Sequence, residues 1–167
     1  MENIENASIK TRINAPKIEF NKTELENWFS RVENHLLDKS QIHFINYEDK
    51  NCETNFDNLN KTFLSDIDKK SVVYCIWIGE SKDNLNPYYV GHAKETISKY
   101  RMIAHFSRKN KATGSQLEKI KKAIEDDFIV GATFIQIEPA YMRTSIEEWM
   151  IIKHSDKLFW NKNGKTK

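Results

Sequence analysis

The apolar positions of the chain follow two rhythms. Across residues 21–38, Leu25, Trp28, Phe29, Val32, Leu36 and Leu37 recur at the spacing of one helical face. Thr23 followed by Glu26 forms a capping-box pattern and marks the expected helix start. Residues 41–47 alternate in part and predict a strand; the polar, Asn-rich residues 48–60 predict a loop, and residues 61–68 a short helix. The rhythm then changes. Val72-Val73-Tyr74-Cys75-Ile76-Trp77-Ile78 concentrates β-branched and aromatic side chains and predicts a strand. A polar loop over 79–87, with Asn84, Asn86 and Pro87 as turn formers, separates it from a short second strand, Tyr88-Tyr89-Val90, ending at Gly91. Helices are expected over 93–105, 115–124 (with Ser115 as cap) and 144–154, a basic loop over 107–114, and a strand over 132–137. The order β-β-α-α-β-α over residues 71–154 predicts a small sheet with helices packed on it. The fold class is therefore α+β, with a helix-containing extension over residues 1–70 and the main domain over 71–167.

Composition narrows this picture. The chain has 167 residues, 39% of them hydrophobic, enough for a packed core. Its apolar runs fall far short of the roughly 18–20 residues a membrane helix needs, so no membrane partner is expected. The N-terminal residues 1–20 are polar, read as a loose tail or a strand fragment, and lack the basic-then-apolar pattern of an export signal. Cys52 and Cys75 make no disulfide framework, and Cys75 sits inside an apolar run as a small buried hydrophobe. A reducing cytoplasm is the natural location for such a chain.

Net charge is only +2, but it is unevenly spread. Residues 1–70 hold 10 Lys/Arg against 13 Asp/Glu, whereas residues 71–167 hold 16 against 11. Residues 99–122 carry eight basic side chains, Arg101, Arg108, Lys109 and Lys111 among them, and one acid, Glu118. Charge alone favours a solvated helix face here, although such a stripe is also able to hold a polyanion.

Several chemistry-bearing residues stand on separate predicted elements. Tyr74 and Tyr89 lie on the two hairpin strands. Arg101 and His105 are four apart and share a helix face. Glu147 and Glu148 lie in the last helix, and Asn161 follows it. Taken singly, each has an ordinary structural explanation. Together they supply what phosphodiester hydrolysis requires: groups to activate water, a cation for the phosphate, and a carboxylate for a metal ion.

Their order resembles the GIY-YIG nuclease family over about residues 71–163. Val72-Val73-Tyr74 occupies the place of the first motif, with both leading residues changed and the tyrosine kept. Tyr89-Val90-Gly91 matches the second motif, and its flank through His92, Ala93 and Lys94 is similar to the nuclease module of bacterial excision-repair proteins. Arg101 with His105 resembles the restriction-enzyme branch, Glu148 the metal-binding glutamate, and Asn161 the closing asparagine. The resemblance implies a small, mainly antiparallel sheet flanked by helices. It implies a DNA endonuclease with Tyr74, Tyr89, Arg101, His105, Glu148 and Asn161 in its active site. Glu148 is implied to hold Mg²⁺, with Mn²⁺ able to substitute; alignment favours it over Glu147, the fallback. Arg101 is implied to grip the phosphate and Tyr74 to take a proton from the attacking water. That role needs nearby cations to lower a tyrosine pKa from about 10. His92, Lys94, Arg108, Lys109 and Lys111 are the candidate substrate contacts. Double-stranded DNA is the expected partner, and a homodimer would let a single-site nuclease cut both strands. The alternative is an inactive nuclease-like module that binds DNA or protein.

Overall fold

The computed structural model describes residues 19, 21–108 and 115–161. The tail expected over residues 1–20 lies almost entirely outside them, as do the candidate contacts Lys109 and Lys111. The fold is α+β, built on an antiparallel sheet of four strands. These are β1 (His43–Phe44), β2 (Val72–Gly79), β3 (Leu85–Ala93) and β4 (Ile129–Gln136), in the order β1-β4-β2-β3. The helices are α1 (Lys22–Leu36), α2 (Phe56–Leu59), α3 (Lys61–Ile67), α4 (Ser98–Phe106), α5 (Leu117–Glu125) and α6 (Arg143–Lys153).

Both faces of β2 are buried, which is why its sequence is continuously apolar rather than alternating. Val73, Cys75 and Trp77 join Phe29, Val32 and Leu36 of α1 and Ile146 and Met150 of α6 in one core. Tyr74, Ile76 and Ile78 join Phe63, Leu64 and Ile67 of α3, Met102 and Phe106 of α4 and Ile120 of α5 in the other. The molecule is thus three layers, with the sheet in the middle. Residues 22–70 supply α1, α3 and β1 to these layers, so the extension covers and completes the sheet. Buried Thr133 ties the end of α1 to the sheet, donating to the Leu36 carbonyl at 2.6 Å and accepting from Trp77 Nε1 at 3.1 Å. Glu33 of α1 meets Lys153 and His154 at the end of α6, at 2.6 and 2.5 Å. Burial opposes its charge, yet these two partners hold its carboxyl below the ordinary value.

Several boundaries differ from expectation, each for a local reason. The cap of α1 is Asn21, which accepts from the Glu24 N–H at 3.2 Å, so the helix starts two residues before Thr23 can cap it. β1 is cut short because the backbone of Asn46 is taken by a side chain. Asn60 accepts from the Asn46 N–H at 2.9 Å and donates to its carbonyl at 2.8 Å. The 48–60 loop contains the short helix α2. β3 begins at Leu85, inside the expected loop, and carries Pro87. A proline is tolerated there because β3 is an edge strand and the register slips beside it, between Ile76 and Trp77. β3 also runs on to Ala93, paired with Val72, which delays α4 to Ser98. No helix among the described residues is long and apolar enough to cross a membrane.

Candidate active site

The register of the hairpin builds the centre of the site. Tyr74 pairs with Gly91, and Ile76 pairs with Tyr89, so all four side-chain positions share one sheet face. Tyr74 and Tyr89 are then diagonal neighbours, with ring centroids 6.2 Å apart. Gly91 makes this possible. A Cβ there would lie 2.5 Å from the Tyr74 hydroxyl and 2.7 Å from Tyr89 Cε1. The glycine of the second motif is therefore required for side-chain space, since both rings fill the volume in front of it.

Helix α4 brings two nitrogen groups to the same oxygen. Arg101 Nε donates to the Tyr74 hydroxyl at 3.2 Å, and His105 Nε2 lies 2.7 Å from it. The direction of the second bond follows from the far side of the ring. The Gln116 backbone N–H, at the start of α5, donates to His105 Nδ1 at 3.1 Å. Burial, reinforced by the charge of Arg101, pushes the His105 pKa down to about 3, so the ring is neutral. A neutral imidazole with Nδ1 accepting carries its proton on Nε2. His105 is therefore a donor to Tyr74, and the Tyr74 oxygen accepts twice. Tyr74 and Arg101 also lie near enough to the Tyr89 hydroxyl to act on its charged form.

Tyr74 is fully buried, and burial, with Tyr89 beside it, pushes its pKa well above the ordinary tyrosine value despite Arg101. The expectation that nearby cations lower it is not met: desolvation outweighs Arg101, and His105 is neutral. Burial also raises Tyr89, against the pull of Arg101. Arg101 stays charged; burial works against it, but the two tyrosines hold its pKa above the usual guanidinium value.

Beside this cluster a cleft of about 430 Å³ is lined by His92, Ala93, Lys94, Thr96, Ile97, Arg101 and Glu147. His92 Nδ1 lies 2.5 Å from Glu147 Oε2. The carboxylate facing the cleft is thus Glu147, and Glu148 is exposed. The cleft is lined by the fallback, Glu147, and not by Glu148. Ile146 and Met150 bury on the core side of α6. At about 100° per residue, Glu148 points about 180° from that direction and Glu147 only about 80°. The helical phase carried this signal in the sequence, whereas motif alignment did not.

The remaining candidates divide. Lys94 lines the cleft and is exposed, free to meet a substrate anion. Arg108 pairs instead with Asp57 of α2 at 2.8 Å and is absent from the cleft lining. Asn161 is buried and serves the backbone. It accepts from the Val90 N–H at 2.9 Å and donates to the Val90 carbonyl at 2.8 Å, while the Trp160 N–H donates to the Tyr88 carbonyl at 2.9 Å. The segment after α6 therefore docks, up to Asn161, on the open edge of β3. It pairs groups flanking Tyr89 that have no neighbouring strand. Of the six residues assigned to the centre, Tyr74, Tyr89, Arg101 and His105 converge, Asn161 braces them from behind, and Glu148 gives way to Glu147. Gly91 and Gln116 are the residues whose roles the sequence did not disclose. Gln116 acts through its backbone, which side-chain pattern cannot reveal.

The lining offers a metal ion the Glu147 carboxylate. Among the described residues no group of three or more His, Cys, Asp or Glu side chains is placed to share an ion. A single carboxylate suits an ion that keeps most of its waters, as Mg²⁺ does. The chain matches no protein-family model, curated protein or solved structure, so the functional reading rests on this geometry.

Proposed function

We propose that the protein is a metal-dependent DNA endonuclease of the GIY-YIG type. The observation that carries the proposal is the meeting of Arg101, His105 and Tyr89 around the Tyr74 hydroxyl, with the Glu147 carboxylate on the adjoining cleft. Arg101 holds the scissile phosphate and offsets charge gathering on it. Lys94 adds a second cation for the DNA backbone. The tyrosine pair orients the attacking water, the Tyr74 hydroxyl held by Arg101 and by the fixed Nε2–H of His105. Glu147 would hold Mg²⁺, with Mn²⁺ able to replace it, and the ion when bound would supply charge neutralisation for the leaving oxygen. No covalent intermediate is required.

Incubation with supercoiled plasmid tests this reading. Nicked or linear product is expected with Mg²⁺ or Mn²⁺ and none with chelator. Arg101→Ala is expected to lower the rate by about 100-fold or more, as removal of a transition-state charge contact does. Intact plasmid under every metal condition would remove the enzyme reading. The full burial of Tyr74 specifically favours a second reading, in which the same cleft binds DNA phosphate without cutting it. Retarded DNA migration with no cleavage would select that alternative.

A further inference from the structure

The pairing of His92 with Glu147 goes beyond a carboxylate site for Mg²⁺. His92 sits one residue beyond Gly91 on β3 and so projects to the opposite sheet face, toward α6. Its ring nitrogen and the Glu147 oxygen are 2.5 Å apart, with the side chains 30% and 20% exposed. Both line the cleft, and both are more than half buried. The other charged groups of the lining are the cations Lys94 and Arg101, neither of which offers a lone pair as charged.

We propose that His92 is a second protein ligand of the metal site, a nitrogen donor beside the Glu147 carboxylate, and that the site thereby prefers a first-row transition ion to Mg²⁺. The proposal deepens the nuclease reading and rests on it for the presence of an ion. Two ligands about 2.1 Å from an octahedral ion and about 90° apart are separated by about 3.0 Å. The His92–Glu147 pair reaches that span by opening about 0.5 Å. As the ion enters, the Nδ1 proton that bridges to the carboxylate is displaced, to Nε2 from a neutral ring or to solvent from an imidazolium, so that His92 ligates as a neutral imidazole carrying its proton on Nε2. Mg²⁺ discriminates against imidazole in favour of oxygen, whereas affinity for a nitrogen-containing site rises from Mn²⁺ through Co²⁺ to Ni²⁺. Glu33 and His154 form a comparable pair elsewhere, but Lys153 already occupies that carboxylate.

The test uses untagged full-length protein without DNA. Pulsed electron paramagnetic resonance of bound Mn²⁺ reports directly coordinated nitrogen, and calorimetric titration compares Mg²⁺, Mn²⁺ and Ni²⁺. Wild type is expected to give a ¹⁴N coupling and to bind Ni²⁺ at least about 100-fold more tightly than Mg²⁺. His92→Ala is expected to lose that coupling and about 10-fold or more of its Mn²⁺ and Ni²⁺ affinity, with Mg²⁺ affinity nearly unchanged. Absence of nitrogen coupling in wild type overturns the proposal, as does its persistence in His92→Ala. Plasmid cleavage run in parallel separates the two claims. Cleavage without nitrogen coupling sinks only the His92 ligand. Nitrogen coupling lost in His92→Ala, with intact plasmid throughout, sinks only the nuclease.

Discussion

Two donors converging on one phenol oxygen decide what Tyr74 is able to do. Arg101 and His105 both point hydrogens at it, an arrangement that favours the phenolate, while complete burial favours the phenol. Burial wins in the resting molecule. His105 in turn is fixed by the Gln116 N–H. A ¹⁵N spectrum is expected to find His105 neutral with its proton on Nε2 from pH 5 to 8; an imidazolium or an Nδ1–H form would contradict the assignment. The same depression has a cost in acid. The folded pKa of about 3 lies below the unfolded value near 6.5, so the unfolded chain binds the extra proton between them. Stability is then fully present above about pH 6.5 and is lost as pH falls toward 3, by a few kcal/mol in order of magnitude. Denaturation midpoints measured from pH 7 to 4 should fall less steeply in His105→Gln than in wild type. Gly91→Ala belongs at this scale too. Its added methyl overlaps both tyrosines, with an overpacking cost of about 1–3 kcal/mol and disruption of the hydroxyl cluster. Unchanged stability and activity in that variant would show that the pair is looser than its geometry.

At the level of elements, the edge strand β3 carries the site and is the element most in need of support. One face of its backbone pairs with β2, and the Val90 groups on the other side pair with Asn161. Asn161→Ala leaves a buried N–H and carbonyl unpaired, at about 1–3 kcal/mol. Amide exchange is the direct readout: protection at Val90 should drop far more than at Cys75 on β2, and equal protection would assign Asn161 elsewhere. Element order over residues 71–154 was legible because β2 is uniformly apolar and the helices carry clear 3.6-residue spacing. Strand ends were not legible. Pro87 reads as a turn unless the strand is known to be an edge, and the end of β1 depends on Asn60, fourteen residues away. Long-range pairing of that kind leaves no mark on local periodicity. The pairing of Asn161 with the Val90 backbone was not legible for the same reason.

Across the whole molecule, the extension and the site domain share their cores. Leu36 of α1 is fully buried with Val73, Cys75 and Trp77 of β2. Leu36→Ala is expected to cost about 2–5 kcal/mol and to lower a single cooperative transition. Two separate transitions, with the one governing the site unaffected, would instead mean that residues 22–70 fold apart. The candidate site was legible as a set of residue types in order, and the structure brings four of the six central residues together. The choice between adjacent glutamates was carried by the phase of α6, but motif alignment ignored which way that helix turns its apolar face. That choice offers the most direct test of the account. Plasmid nicking should be measured side by side for wild type, Glu147→Gln and Glu148→Gln, with Mg²⁺ and with Mn²⁺. The account predicts that wild type and Glu148→Gln cut at similar rates and that Glu147→Gln loses about 100-fold or more. Full activity in Glu147→Gln, or loss confined to Glu148→Gln, would contradict it.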